Sequence, residues 1–266
     1  MNFHLQIILQ TLPQQVQALQ ALQQAFAQVC NALAPMVQTT RVWNRVALHH
    51  AAYRQLRAQF PAMGSQMVCN AIYAVSRTCR QVFQHPDSPW NVALHPGQPL
   101  PLLHFAPDGP VFFDRHTLSV KNGVLSLYTL EGRMRFEQQL REGDEALFHT
   151  HKLREVVLTR QDDGSFALTL WLVDQTAAAT AHAPATPSTP SAPSAPNTPS
   201  APDTLTQPRP AKAGAGGSLI ASPQAGVPAV PLPSEQAAGP ALGVFDHVAP
   251  GALPDFVQLH PLTQTS

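Results

Sequence analysis

The sequence predicts an α+β protein: a small β-barrel or meander with an inserted three-helix bundle, followed by a disordered proline-rich tail. Between residues 11 and 86 the apolar side chains recur at spacings of three and four, which is typical of amphipathic helices. Across residues 111–175, short runs of β-branched and apolar residues are separated by turn residues, which is typical of strands. Residues 176–266 then hold 17 of the 27 prolines, too dense a content for a packed core.

The N-terminal part begins with "FHLQIILQ", a short strand within residues 1–10. Pro13 suits the first turn of a helix, and Pro35 is expected to end that helix. A second helix over about residues 44–59 and a third after it complete the bundle over residues 11–86. A proline-rich stretch, residues 87–110, is expected to be an irregular connector.

The C-terminal half of the predicted fold is a meander of hairpins. Its turns fall at Asn122-Gly123, Glu131-Gly132 and Asp163-Gly164. Asn-Gly is a strong hairpin signal because both residues tolerate positive φ. If the first strand joins the later sheet, residues 1–10 and 111–175 form one β-domain and the helices are an insertion in it.

The tail, residues 176–266, has a strict proline period. Prolines stand at 184, 187, 190, 193, 196, 199 and 202. A period of three favours an extended polyproline II linker. The last stretch, "LGVFDHVAPGALPDFVQLHPL", has no sustained period, so the whole tail is predicted to be mostly disordered.

Charge is unevenly distributed although the formal net charge is zero. Residues 1–86 contain six arginines, no lysine and no acidic residue, whereas residues 87–175 carry a net charge of −4. A cationic helical half favours a partner with phosphates. The three scattered cysteines predict no disulfide framework, and no stretch has the length of a membrane span or the pattern of a signal peptide. We therefore expect a soluble, cytoplasmic protein with no membrane partner.

Two stretches resemble TnpB-like (OrfB-type) transposon-associated proteins, which are related to type V CRISPR effectors. The first is "LHHAAYRQLRAQFPAMGSQMVCNAIYAVSRTCR", residues 48–80, and the second is "FDRHTLSVKNGVLSLYTLEGR", residues 113–133. The matching positions of the first are Leu48, His49, Tyr53, Leu56, Arg57, Phe60, Ser65 and Gln66. Those of the second are Asp114, Leu118, Ser119, Lys121, Ser126, Thr129, Gly132 and Arg133. The resemblance covers about residues 3–173, and it departs at His116, where members usually carry Arg.

The resemblance implies a recognition-type helical bundle inserted into a wedge-like β-domain, which together hold a guide RNA and its target DNA. Such proteins recognise a guide–target duplex through a cationic channel, and Arg binds phosphate in a bidentate way that Lys cannot. The expected partner is RNA and/or DNA, with no cofactor, near the nucleoid if the protein binds DNA. The candidate nucleic-acid-binding residues are Arg41, Arg45, Arg54, Arg57, Arg77, Arg80, Lys121 and Arg133.

Members of this family continue into a RuvC-like nuclease, whose three carboxylates hold two Mg²⁺ ions. The nearest motif here is "LGVFDHVAP", residues 242–250, which lacks the closing glycine, and no Cys-x₂-Cys pair is present. We expect a truncated or degenerate form that binds nucleic acid and is not an enzyme, with no metal site.

Two other functions stay open. The period-three prolines suit the aromatic grooves of proline-binding domains, so residues 176–210 could serve a protein partner. A non-functional decay product is the other alternative, because only 12% of residues are charged.

Overall fold

Mixed α and β elements make up the fold, and the computed structural model describes residues 2–137, 140, 142–173, 248–249 and 251–260. The helices are α1 (Pro13–Thr40), α2 (Arg45–Gln59), α3 (Ser65–Phe83) and α4 (Glu142–Thr150). The strands are β1 (Asn2–Leu9), β2 (Leu102–Phe105), β3 (Val111–Phe113), β4 (Leu118–Lys121), β5 (Val124–Thr129), β6 (Gly132–Glu137), β7 (Lys152–Arg160), β8 (Phe166–Val173) and β9 (Val257–His260). The predicted α+β class is confirmed. The period-three prolines lie outside the described residues.

The helices follow the predicted apolar spacing, with one correction. The buried side chains of α1 include Leu19, Leu22 and Phe26, which recur at three and four residues. The prediction that Pro35 ends this helix is wrong, because α1 continues to Thr40. Proline removes only one backbone hydrogen bond, and Val37 beyond it is still buried. The helix ends at Arg41, whose left-handed backbone (φ 55°) forms the C-cap.

The largest sheet contains four antiparallel strands in the order β1-β8-β7-β3. β1 pairs with β8 along its whole length, from Asn2 opposite Val173 to Leu9 opposite Phe166. One face of this sheet meets the helices, because the Phe112 ring on β3 lies 6.4 Å from that of Phe26 and 5.9 Å from that of Tyr73. Three helices therefore lie in the chain between β1 and the strands that complete its sheet.

The second sheet, β4-β5-β6, contains two of the three predicted hairpin turns, and the third, Asp163-Gly164, joins β7 to β8 in the first sheet. Asn122 (φ 53°) and Gly123 (φ 73°) take the positive angles that the Asn-Gly turn requires. Helix α4 has no counterpart in the sequence prediction. Its Glu145 accepts hydrogen bonds from the backbone N–H groups of Asn122 (2.8 Å) and Gly123 (2.7 Å). The bond from Gly123 is the main cause of the lowered pKa of Glu145.

A closed barrel is not formed by the described strands, which make three separate antiparallel sheets. The third of these sheets consists of β2 and β9. It corrects two expectations. Residues 87–110 were expected to be an irregular connector but contain β2, and residues 176–266 were expected to be mostly disordered but contain β9. Four-residue strands carry too little pattern to be detected from periodicity.

Amide side chains of α1 hold the connector. Asn31 donates to the carbonyl of Phe105 (3.0 Å) and accepts from its N–H (2.7 Å). Gln23 donates to the carbonyls of Asp108 (2.8 Å) and Gly109 (2.9 Å). A third amide follows the same pattern, with Gln38 donating to Leu100 (2.9 Å). Positions 23, 31 and 38 fall on one side of a helix of 3.6 residues per turn, so this side of α1 is a docking face for the connector.

Candidate nucleic-acid interface

Helix α3 is buried along most of its surface and exposes a narrow polar stripe. The members of this stripe are Gln66, Cys69, Tyr73, Arg77 and Arg80. Their spacings of three and four place them on one side of the helix. Apolar side chains, among them Val68, Ile72 and Val75, occupy the buried side. The stripe is thus what α3 offers to a ligand.

Helix α2 lies beside this stripe and closes a groove of about 350 Å³, called here the α2–α3 groove. Its lining residues are Arg45, Val46, His49, Gln66, Cys69 and Ile72. Asn44 starts α2 by accepting hydrogen bonds from the N–H groups of Val46 (2.9 Å) and Ala47 (3.2 Å). This cap sets Arg45 at the first turn, at the mouth of the groove.

Aromatic rings accompany the positive charge in the groove. The Arg45 guanidinium lies 5.3 Å from the centre of the Tyr73 ring, a cation–π contact between the two helices. On α2, the rings of His49 and Tyr53 stack at 4.6 Å with 20° between their planes. A surface that combines arginine with stacked planar rings suits the phosphates and bases of a nucleic acid.

One arginine of the stripe is neutralised inside the protein. The Nε of Arg77 lies 3.3 Å from Oε1 of Glu155, whose side chain is only 2% exposed. The Tyr73 hydroxyl donates to the same oxygen at 3.1 Å. Burial, and then the negative charge of Glu155, raise the pKa of Tyr73. This cluster joins α3 to β7, so Arg77 has a structural partner already.

The thiol of Cys69 lies in the groove but stays protonated. Burial is the main cause of its raised pKa, and the positive charge of Arg45 opposes that effect. Gln66, next along the stripe, donates to a carboxylate oxygen of Asp114 at 2.5 Å. Asp114 therefore anchors α3 to the turn that follows β3 and places an acidic group at one end of the groove.

Two further predicted residues, Arg41 and Arg57, donate hydrogen bonds to backbone carbonyl groups. Arg41 donates to the carbonyls of Pro96 (3.1 Å) and Gln98, which ties the connector to the end of α1. Arg57 donates to the carbonyls of Phe60 (3.4 Å) and Met63, the turn that follows α2. Arg41 therefore binds carbonyl groups of the connector, and Arg57 binds carbonyl groups of the turn after α2.

The remaining predicted residues lie on other surfaces. Arg133 donates to the hydroxyl of Ser126 (3.0 Å) and to the carbonyl of His116 (2.8 Å), across the second sheet. Lys121 is exposed on β4, and Arg54 is exposed on the outer side of α2. Of the eight predicted residues, Arg45 lines the α2–α3 groove, and Arg77 and Arg80 lie farther along the polar stripe of α3.

Sequence reasoning named the charges but not the rings beside them. Tyr73 was not singled out, and His49 and Tyr53 were named without a contact between their rings. The signal for the α2 pair was present, because positions 49 and 53 are four apart and stack on a helix. The contact of Arg45 with Tyr73 joins two helices, and no local pattern reveals it.

Comparison with known proteins adds no relative. No family model matches this chain, and no curated protein does so either. Across the described ranges, no three His, Cys, Asp or Glu side chains lie close enough together to hold a metal ion. In the same part of the chain, every helix is too short or too polar to cross a membrane.

Proposed function

We propose that this chain is a TnpB-like nucleic-acid-binding protein that holds RNA and/or DNA along the α2–α3 groove without cleaving it. One observation carries the proposal: the groove is formed by two helices that contain five arginines and no acidic residue. Arg45 lines the groove and Arg80 is exposed farther along the α3 stripe. These two are the proposed ligand-facing charges, because Arg77 is already paired with Glu155. The resemblance at residues 48–80 lies on the same two helices.

The groove has the chemistry that such a ligand needs. The side chain of Arg80 is exposed and makes no hydrogen bond or ion pair within the described part of the chain. Arg45 is positioned by Tyr73, and its guanidinium donors remain available for a phosphate. The stacked rings of His49 and Tyr53 provide a flat surface on which an unpaired base can lie.

The finer architecture belongs to this proposal. A wedge-like β-domain made of residues 1–10 and 111–175, with residues 11–86 inserted as a recognition-type bundle, is supported by the pairing of β1 with β8. A protein partner for residues 176–210 stays a prediction, because those residues lie outside the described ranges.

Binding can be measured on the full chain with fluorescent RNA, single-stranded DNA and an RNA–DNA hybrid over a salt titration. We expect R45A and R80A each to weaken binding roughly tenfold, since a charge-assisted hydrogen bond contributes about 1.5 kcal/mol. Each should also reduce the slope of log K against log salt by roughly 0.7 to 0.9. RNA that copurifies with the chain is sequenced in parallel.

The matched control is R154A, which removes an exposed arginine on β7, outside the groove. It should leave the affinity and the salt slope nearly unchanged. Equal losses in R45A and R154A would show that any positive charge suffices and would remove the groove from the proposal. Absence of binding at low salt by the folded full chain would refute the function itself.

A further inference from the structure

The segment Gly251–His260 lies against the connector as an added strand. Its β9 pairs with β2 from Phe105 opposite Val257 to Leu102 opposite His260. The backbone N–H of Ala106 extends the ladder by donating to the carbonyl of Phe256 at 2.9 Å. Among the described strands β9 has no neighbour other than β2, so this ladder is separate from the two larger sheets.

The two edges of β2 have different partners. Both polar backbone groups of Phe105 are bound by the side chain of Asn31, which takes the place of a neighbouring strand on the inner edge. Backbone groups of successive residues in a strand point to opposite edges. His104 therefore faces β9 and forms the hydrogen-bonded pair with Gln258, opposite it in the register. The edge of β2 that faces α1 is hydrogen-bonded by Asn31 whether or not β9 is present. The opposite, outer edge has β9 as its hydrogen-bonding partner.

The segment also fits the surface through its side chains. Val257 is only 4% exposed, and Phe256 lines a narrow apolar cleft beside Phe105 and Phe112. At the start of the segment, Gly251 has a positive φ of 74° and packs on the turn after α3. A Cβ at position 251 would overlap the backbone of Asp87 and Ser88. The contact therefore requires glycine.

We propose that the outer edge of β2 is a docking site for an extended peptide strand, and that Gly251–His260 is its detachable resident. When the resident strand is released, the edge accepts the identical strand from a second copy of this chain. Strand addition of this kind gains affinity from main-chain hydrogen bonds and specificity from alternate side chains. Here the alternate side chains are those of Val257 and Leu259, which face the protein, while Gln258 and His260 are exposed.

Detachment follows from the small size of the contact. A four-residue, two-stranded ladder is marginal by itself, and such segments open locally far below the free energy of global unfolding. Residues 174–250 separate this segment from β8 in the chain. No short hinge therefore ties β9 to one particular copy, and the same contacts can form within a chain or between chains.

Hydrogen exchange on the full chain tests detachment, because adjacent amides of β2 have different partners. We expect the amide of His104 to exchange at least tenfold faster than that of Phe105, in step with the amide of Gln258. Equal protection of His104 and Phe105, at the level of the β8 amides, would overturn the proposal, since the segment would then open only with the whole fold.

Docking in trans is tested with a fluorescent peptide of residues 251–262. The double variant G251A/V257D disrupts the contacts of the resident strand with the protein and leaves the sequence of β2 unchanged. Because its β2 edge is then unoccupied, it should bind the peptide at least tenfold more tightly than the unmodified chain. The control G97A places its Cβ in open space and should behave as the unmodified chain does. A peptide carrying the V257D change should not bind. Failure of the folded double variant to bind the unmodified peptide would refute the docking site.

Discussion

Asn31 gives the sharpest test of how the connector is held. Its amide makes two hydrogen bonds, 2.7 and 3.0 Å long, with the backbone of Phe105, a residue that is only 5% exposed. N31A removes both bonds and leaves a donor and an acceptor of β2 without partners at the surface of α1. We expect a clear loss of free energy of unfolding.

The size of this loss is the difference between the hydrogen-bonding free energy that N31A removes and the helix propensity that it gains. Two net hydrogen bonds contribute about 1 kcal/mol each, and unpaired buried backbone groups add about 1–3 kcal/mol. Alanine is a better helix former than asparagine, and this difference reduces the loss of stability by about 0.6 kcal/mol. The expected net loss is about 2–4 kcal/mol. In a domain of this size that corresponds to a melting temperature lower by roughly 4–16 °C.

Urea denaturation followed by circular dichroism measures the effect. The control Q28A lies on the exposed side of α1, three residues away, and should change stability by less than about 0.5 kcal/mol. N31D tests the geometry further, because it keeps the acceptor for the Phe105 N–H but directs a second carboxylate oxygen at the Phe105 carbonyl. If N31A and Q28A unfold at the same urea concentration, the amide contact contributes nothing and the reasoning fails.

Two further predictions concern buried groups. Burial raises the pKa of the Cys30 and Cys79 thiols. Above about pH 8.5 these thiols ionise in the unfolded chain but stay neutral in the folded one. The free energy of unfolding is therefore unaffected below about pH 8.5 and falls above it, by about 1.4 kcal/mol per thiol and pH unit. Denaturation between pH 8 and 10 should show this slope, and C30A/C79A should flatten it; an unchanged slope contradicts the assignment. R77A removes the guanidinium that pairs with the buried carboxylate of Glu155, so this variant should lose about 2–4 kcal/mol of unfolding free energy. The exposed variant R80A should lose little, and equal losses would count against the buried pair.

Local patterns account for the elements that sequence analysis predicted. The Asn122-Gly123 turn is fixed by two adjacent residues, and the apolar spacing of α1 and α3 is fixed by burial on one side. The pairing of β2 with β9 depends on residues far apart in the chain. Each of those strands has four residues and no decisive pattern, so only the tertiary structure shows that they belong together.

The arginines illustrate a similar limit in the candidate site. Composition shows that residues 1–86 contain positive charge and no negative charge. It does not show that Arg41 binds carbonyl groups of the connector, that Arg57 binds those of the turn after α2, or that Arg77 meets Glu155. Those partners come from a connector, a turn and a distant strand. The number of charges can therefore be read from the sequence, whereas the fold decides which of them have partners within the protein.

Part of the absence of acidic residues in the helical half has a structural cause. In α1 the amides at positions 23, 31 and 38 contact connector carbonyls, and a carboxylate at any of them would repel the carbonyl oxygens. That cause requires no ligand. In α2 and α3 the polar surface around Arg45 and Arg80 makes no such contact with the connector. The proposed nucleic-acid binding therefore depends on the exposed arginines of residues 45–83, and its test compares single charges of these two helices.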